Sequence, residues 1–423
     1  MKKVLVIGGG GREHAIVWKL SQSKNAVELF CAPGNGGIVK IAKCVPIKAT
    51  DINGVVNFAT QNAIDLVVVA PDDPLAAGMV DALEAAGIRA FGPHKNAAVL
   101  EASKQFSKDL MQKYEIKTAK YEVFEDSATA IGYLSKASMP VVVKADGLAL
   151  GKGVVIAQTF DEAAAAVKNM IDGAQFGDSG KKVVIEEFMV GPEVSILAFT
   201  DGKTVVPMVS SQDHKRAFDH DEGPNTGGMG TFSPSRLYSE ELAAQCMKEI
   251  YLPTINAMNA EGRKFKGVIY FGLMLTADGP KVLEYNARFG DPETQVVLPR
   301  LETDLLEIFE AIIDERLADI DIKWTDNSAV CVVMASGGYP GKYETGHPIT
   351  GLEDALTDPS VVVFHAGTAL SESAAPTLAT AGGRVLGVTS VGDTIENART
   401  HAYAAVEKIK FQGAHYRKDI GIK

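Results

Sequence analysis

The stretch "VLVIGGGGREHAIVWKL", Val4 to Leu20, constrains the fold more than any other part of the chain. An apolar run with the look of a buried strand leads into four glycines and then into an amphipathic pattern. That order predicts a strand, a tight turn and a helix, the opening unit of a doubly wound α/β sheet. A glycine turn at a helix N-terminus offers backbone N–H groups and the positive end of the helix dipole to an anion. A phosphate is therefore expected here, and the neighbouring residues decide whose phosphate it is.

A dinucleotide fits poorly. With the frame set at Gly8 or at Gly9, the third glycine of the fingerprint falls on Glu13 or His14, where a large side chain blocks close helix–strand packing. The next strand, in "AVELFCAPGNGG", ends in Cys31-Ala32-Pro33-Gly34-Asn35, with no acid for a ribose hydroxyl. Glu28 comes too early in that strand. A smaller phosphorylated ligand is the better reading, and a purely structural turn is the alternative.

The 423 residues suffice for two to four domains, and the net charge of −11 argues against nucleic acid as a bulk electrostatic partner. Four scattered cysteines without C-x-x-C spacing read as reduced thiols of a cytoplasmic protein. No apolar run is long enough to span a membrane, and the apolar part of the N-terminus is too short for a signal peptide.

Strand and helix patterns alternate over residues 1 to about 100, predicting the parallel sheet. Residues 123–188 read as a compact α+β lid, and antiparallel strands return through "EVSILAFTDGKTVVPMVSS" and "GVIYFGLMLTADGPKVLEYNARF". A final unit is expected from about residue 325 to the end.

Four segments carry candidate chemistry. "KADGLALGKGVV" nearly spells a P-loop, but three residues rather than four separate Gly147 from Gly151, and Gly153 follows Lys152 where a hydroxyl is needed. It joins two strands, so it reads as a glycine flap laid over phosphates, with Lys144 reaching them; a surface turn is the alternative. "VVIEEFMVGPEVS" places Glu186 and Glu187 before a turn and Glu193 after it, at the edge of an apolar slot; acids there can accept from an amine or from ribose hydroxyls, or simply be solvated. "VLEYNARFGDPETQ" puts Glu284, Asn286 and Arg288 on one strand face, with Leu283, Tyr285 and Ala287 on the other. A carboxylate beside an amide oxygen suits Mg²⁺, and two protein ligands suffice when phosphate oxygens complete the shell. "SQDHKRAFDHDEGPNTGGMG" is a donor-rich loop typical of a binding site. His214 within it reads as a hydrogen-bonding residue rather than a base. His94 and His365 form no ligand-spaced pair.

Together these stretches, with "APGN", "GGYPG", "FHAGT", "GGRVL" and "YRKDIG", resemble the ATP-grasp ligases, and among them the phosphoribosylamine–glycine ligase family. The resemblance spans almost the whole chain. It implies an α/β and α+β multidomain protein: an N-terminal doubly wound parallel sheet (1–102), an ATP-grasp core (103–122 and 189–324), a small lid (123–188) and a small C-terminal α/β domain (325–423). It implies ATP-dependent ligation of glycine to 5-phosphoribosylamine through glycyl phosphate, with Mg²⁺ or Mn²⁺. ATP would lie against Lys104, Lys144, Gly151, Lys152 and Gly153, with Glu186, Glu187, Met189 and Glu193 at adenine and ribose. Glu284 and Asn286 would hold the metal. Gly10, Gly11, Arg12, Asn35 and Gly36 would receive the sugar phosphate. Asp213, Lys215 and Arg288 would line the meeting point of glycine and the γ-phosphate; Arg288, Asp213 and Lys144 are the residues expected to act in catalysis. Family members show Gly-Pro-Glu and a small residue where this chain has "APDDPL". Asp72 is expected to take the sugar, and Asp73 to cap a helix starting at Pro74. The partners are small molecules, with no nucleic acid and no membrane; a monomer is expected, with a dimer the alternative. The rival readings are an ATP-grasp ligase for another acid or amine, a dehydrogenase and a non-catalytic nucleotide-binding module.

Overall fold

A computed structural model describes residues 1–25, 27–149, 153–173, 176–371 and 376–422. The opening strand, Lys2–Gly8, is central in a five-stranded parallel sheet. Val27–Pro33 and then Lys43–Cys44 lie on one side of it, Leu66–Val69 and Ala90–Phe91 on the other. Val4 to Ile7 are fully buried because helices cover both faces, which is why this strand reads as an unbroken apolar run. The helix Gly11–Leu20 follows directly, so the strand–glycine–helix reading holds. In a parallel sheet the carboxyl ends of the strands share one edge, and the loops after Gly8, Pro33 and Val69 line it together.

A second sheet is antiparallel, in the order Val205–Pro207, Glu193–Thr200, Gly267–Thr276, Gly279–Asn286. Its apolar face joins the core beneath the first sheet through Ile196, Ile269, Phe271, Val282 and Tyr285. A third, also antiparallel, runs Tyr121–Phe124, Val183–Glu187, Val141–Ala145, Val154–Ala157, backed by the helices Ser127–Leu134 and Phe160–Ile171. It encloses a small core of its own around Val143, Ala163, Val167 and Ile185.

The last sheet is not confined to residues beyond about 325. Its order is Gln212–Asp213, Gly230–Ser233, Ser328–Ala335, Arg384–Gly392, Val361–His365. The first two strands come from the middle of the chain and pair antiparallel onto Ser328–Ala335. The donor-rich loop therefore bridges two sheets: Ser211 exchanges backbone hydrogen bonds with Ser195 of the second one, and Gln212–Asp213 and Gly230–Ser233 belong to the C-terminal one.

The region 239–262 is helical as expected, in segments Glu240–Cys246 and Leu252–Ala260 joined by a wider turn. The helix after "APD" starts at Asp72, with Pro71 at its N-cap, and runs to Ala77. Asp73 therefore lies inside the first turn and is not the cap.

Candidate active site

The glycine segment after Lys144 joins two antiparallel strands, Val141–Ala145 and Val154–Ala157, with Lys144 opposite Val154. Gly153 marks its end; Gly151 and Lys152 lie outside the described residues. Lys144 is buried, its Nζ 2.9 Å from Glu186 Oε1 and 3.3 Å from the Leu283 carbonyl. Lys108 reaches the other oxygen, Glu186 Oε2, at 3.0 Å and donates to Thr118 Oγ1 at 2.7 Å. Burial pushes the Lys108 ammonium down to about 8 even with Glu186 beside it.

Glu186 has a structural task besides the one expected of it. Each of its oxygens faces a lysine ammonium, so in this structure it neutralises two buried cations. Glu187 is the exposed member of the pair, and its carboxylate accepts from the Lys120 amide at 3.1 Å. Met189 packs with Ala119, Met274 and Leu283 into a small apolar surface suited to a flat ring. Glu193 pairs with Lys215 at 2.9 Å.

Lys104 begins the helix Lys104–Lys113, where the Ser103 hydroxyl accepts from the Phe106 amide. Its Nζ donates to the Gly147 carbonyl at 3.0 Å, and Asp146 accepts from the Gln105 amide at 2.7 Å. Helix start and flap base are thus tied together. Burial lowers the Lys104 pKa. Lys104 and Lys108 are one helical turn apart and so share a face.

Across the cleft, the strand Gly279–Asn286 carries Glu284 and Asn286. A bulge interrupts its register: Gly272 faces Glu284 while Leu273 faces Val282, so Leu283 has no partner. Leu283 therefore joins Met189 and Met274, whereas Val282 and Tyr285 share the core, which corrects the strict alternation expected on this strand. Burial would raise the Glu284 pKa, but Lys215, then Lys144, Lys104 and Arg288, outweigh it and hold the carboxylate ionised. Lys215 Nζ stands 3.8 Å from it. Asn286 Oδ1 accepts from Arg288 at 3.2 Å.

Arg288 links this acid to the carboxyl edge of the parallel sheet. It pairs with Glu101 at 2.7 Å, and Glu101 also accepts from the Ala287 amide at 2.7 Å. Burial pushes Glu101 up to about 7, against the pull of Arg288. Burial would also raise Asp72, but Arg288 and Arg12 together hold it below its usual value. Asp72, Arg12 and Arg288 thus form one electrostatic group at the carboxyl edge of the parallel sheet. Asp73 is raised by burial and by Asp72.

The opening loop is less open than its glycines suggest. The Gly10 amide donates to Glu13 Oε2 at 2.6 Å, and the Arg12 amide to Asp291 Oδ2 at 3.3 Å. Arg12 Nε pairs with Glu13 Oε1 at 2.6 Å, and Nη1 donates to the Phe289 carbonyl at 3.2 Å. Asn35 donates to the carbonyls of Gly9 and His365, and its oxygen accepts from the amides of Gly37 and Ile38. The Gly36 amide donates to Thr368. The expectation of free N–H groups at Gly10 and Arg12 is corrected: both already serve carboxylates of the chain. A Cβ at Gly11 would lie 2.5 Å from Gln295 Nε2, so that side chain would have to move aside.

In the donor-rich loop, Asp213 Oδ1 accepts from the His214 amide at 2.6 Å. Burial and the charge of Glu293 raise the Asp213 pKa well above the carboxylate range. Gly228 has φ +110°, and a Cβ there would lie 2.8 Å from Asp213 Oδ1. His214 is held neutral, its pKa lowered to about 4 by burial and by Arg417, so it is a poor base at neutral pH. Burial opposes the charge on Lys215, but Glu193 and Glu284 raise its pKa well above the usual value.

Five residues that the sequence did not single out belong to this site: Lys108, Glu101, Asp291, Glu293 and Arg384. Lys108 could have been found by its one-turn spacing from Lys104. Arg384 could not, because it reaches in from the C-terminal sheet. Its guanidinium donates to the carbonyls of Gly227 at 2.6 Å and Asp291 at 2.9 Å, and lies 3.3 Å from Asp291 Oδ1.

A lid sheet whose glycine hairpin faces an antiparallel sheet carrying acid and amide, beside a parallel-sheet unit, defines an ATP-grasp enzyme, a ligase class that activates carboxylates. The chain matches the phosphoribosylglycinamide synthetase N domain over residues 2–101, its ATP-grasp (A) domain over 102–294 and its C domain over 329–423. The chain belongs to the phosphoribosylamine–glycine ligase family. The phosphoribosylamine–glycine ligase of Halalkalibacterium halodurans is 49% identical over 420 residues, covering 99% of this chain and 96% of the relative. That of Caldanaerobacter subterraneus is 48% identical over 418 residues, covering 99% of each. The crystal structure of the Thermotoga maritima phosphoribosylamine–glycine ligase superposes with a TM-score of 0.83 at 34% identity, covering 99% of both chains. A biotin carboxylase from Campylobacter jejuni shares the fold at a TM-score of 0.75 and 13% identity, over 100% of this chain and 94% of that one.

Proposed function

We propose that the chain joins glycine to 5-phosphoribosylamine with conversion of ATP to ADP and phosphate, the glycinamide ribonucleotide-forming step of purine biosynthesis. The observation that carries the assignment of the site is the convergence of Lys215, Lys144, Lys104 and Arg288 on one ionised carboxylate, Glu284. Four cations around one acid suit a triphosphate that arrives with a divalent metal. Glu284 and Asn286 fit that metal: a hard carboxylate and an amide oxygen with capacity left beside its bond from Arg288. Among the described residues no group of three His, Cys, Asp or Glu side chains could hold a metal by itself, so ATP phosphate oxygens and water would fill the remaining positions. Mg²⁺ or Mn²⁺ there would neutralise phosphate charge as it develops.

Lys104 and Lys144, with the flap ending at Gly153, orient the phosphates. Met189 and Leu283 offer the adenine an apolar face, and Glu187 and Glu193 offer it acceptors. A glycine carboxylate oxygen attacks the γ-phosphorus and ADP leaves, giving glycyl phosphate. The phosphoribosylamine nitrogen then attacks the glycyl carbon, the bond to the phosphate oxygen breaks, and the nitrogen loses a proton. Such transfers need positioning and charge neutralisation rather than a covalent group on the protein. Lys215, Asp213 and Arg288 sit between the two substrates. Arg12, Asn35, Gly36 and the Gly10–Gly11 turn receive the phosphate end of the sugar, and the Asp72 carboxylate accepts from its hydroxyls. We divide the chain into a sugar-binding unit (1–102), an ATP-grasp core (103–122 and 189–324), a lid (123–188) that excludes water and a C-terminal unit (325–423). Cytoplasmic location follows from the substrates and suits four free cysteines. Among the described residues, no helix is long and apolar enough to cross a membrane.

The test is phosphate release with ATP, Mg²⁺, glycine and freshly made phosphoribosylamine, each omitted in turn. Release that ignores glycine, or that needs a different amino acid, refutes the assignment.

A further inference from the structure

We infer that the C-terminal segment His415–Asp419, through the buried guanidinium of Arg417, is a clasp that positions Lys215 for reaction, so that Arg417 is a positioning residue of the active site. The inference rests on the site assigned above and adds a residue that lies about two hundred positions away in the chain.

Lys215 leads straight into a short hairpin, Arg216–Phe218 paired with Glu222–Asn225. Its base is closed by Lys215 itself, whose carbonyl accepts from the amide and hydroxyl of Thr226, both at 2.8 Å. A two-stranded ribbon of this length has too little core to hold its own shape. The C-terminal segment supplies what it lacks. Arg417 is 0% exposed. It forks onto Asp419 through Nε and Nη2, both at 2.7 Å. Its Nη1 donates to the Arg216 carbonyl at 3.1 Å and to Asp221 Oδ1 at 2.9 Å. Asp419 Oδ2 accepts in turn from the His220 amide at 2.9 Å, and Asp219 accepts from the Lys418 amide at 2.7 Å. His415 Nε2 meets the Ala217 carbonyl at 2.8 Å. Contacts therefore fall on residues 216, 217, 219, 220 and 221, and the first adjoins Lys215.

The segment is itself anchored, since His415 and Ala335 exchange both backbone hydrogen bonds at the end of the C-terminal sheet. Position thus passes from that sheet through Arg417 to the backbone of Lys215, and from there to an ammonium between Glu193 and Glu284. A planar fork with several fixed donors suits this task; a lysine would keep the charge and lose the geometry. The Arg417 charge also bears on His214, the residue before Lys215, and with burial helps to keep it neutral.

The experiment measures steady-state kinetics, thermal melting and the NMR titration of His214 in the full chain. Arg417→Gln is expected to lower kcat and raise KM for glycine, together by about ten- to a hundredfold in kcat/KM, the scale of a misplacement near 1 Å. KM for phosphoribosylamine should stay within about twofold. Arg417→Lys should recover part of kcat, and His214 should titrate at higher pH in Arg417→Gln than in Arg417→Lys. Asp221→Asn, at a partly exposed position, tests the same clasp without touching the core: kcat/KM for glycine should fall about threefold or more with an unchanged melting curve. A folded Arg417→Gln with normal glycine kinetics overturns the inference. So does a uniform rise of every KM that follows a lost melting transition, or an Asp221→Asn enzyme indistinguishable from the parent. Lys215→Met separates the two levels: if it leaves turnover intact the site assignment fails, whereas if it abolishes turnover and Arg417→Gln does not, only the clasp fails.

Discussion

Replacing Glu186 by glutamine keeps the shape of the side chain and leaves two buried ammonium groups, Lys108 and Lys144, without their shared counter-ion. Their side chains are 3% and 8% exposed, so water does not reach them as a substitute. Removing one partner of a buried pair costs about 3–5 kcal/mol. A separate route gives a similar figure. Lys108 can escape by releasing its proton, and for a group near 8 that costs roughly 1.4 kcal/mol at pH 7. Lys144 then loses a charged hydrogen bond, worth about 1.5–3 kcal/mol. The sum is about 3–4 kcal/mol.

The pH dependence identifies the cause. Without Glu186 the Lys108 pKa in the folded state falls further below 8, while in the unfolded chain it returns to the ordinary lysine value. Between the lowered pKa and 8, the variant's folded state is already deprotonated and its unfolded state is not, so the variant gains stability with rising pH. The parent gains nothing from this group until pH 8. The deficit of Glu186→Gln should therefore be largest near pH 6 and shrink by up to about 1.4 kcal/mol per pH unit until pH 8. Urea melts of both proteins from pH 6 to 9 measure it. A deficit below about 1 kcal/mol, or one independent of pH, would refute the role of counter-ion. A raised KM for ATP with an unchanged melt would instead return Glu186 to the nucleotide.

Glu284→Ala should abolish turnover at saturating Mg²⁺ with little change in melting, because the residue is a half-exposed acid whose charge is needed only with the nucleotide; near-normal turnover would refute the metal assignment. Asp72→Asn should raise KM for phosphoribosylamine and leave KM for ATP alone, a pattern steady-state kinetics resolves directly. Asp73→Ala should cost less than the ~1 kcal/mol of a lost N-cap, since Pro71 holds that position and Asp72 repels Asp73; a full cap-sized loss on thermal melting would contradict this. Burial holds His14 near 3 and His365 near 4, so the unfolded chain binds more protons below about 6.5 and stability falls with acid from there. His14→Gln should flatten the pH slope of the urea midpoint between pH 4 and 6 by about one proton.

Local features were legible in the sequence because period and turn chemistry encode them. The opening strand, its glycines and its helix could be read from Val4 to Leu20, and the strand-to-strand nature of the segment after Lys144 followed from the residues that it lacks. What could not be read depends on contacts across the chain. Nothing near Glu186 announces that Lys108 and Lys144 arrive from opposite sides. The free amides expected at Gly10 and Arg12 are claimed by Glu13, three residues on, and by Asp291, nearly three hundred away. The bulge turns the Leu283 side chain toward Met189 and Met274 because its own strand carries one residue more than the partner between Glu284 and Val282, and Leu283 carries no sign of it.

The two mid-chain strands in the C-terminal sheet bear on the order of events during synthesis. Gln212–Asp213 and Gly230–Ser233 leave the ribosome well before Ser328–Ala335, the strand they pair with. At roughly 5–20 residues per second, the wait from Asp213 to Arg417 is on the order of ten seconds or more. During that time the second sheet can form, while Gly230–Ser233 still lacks its partner Ser328–Ala335 and the hairpin after Lys215 still lacks Arg417. The hairpin that follows Lys215 is therefore completed only once residues about two hundred positions further along the chain have been made.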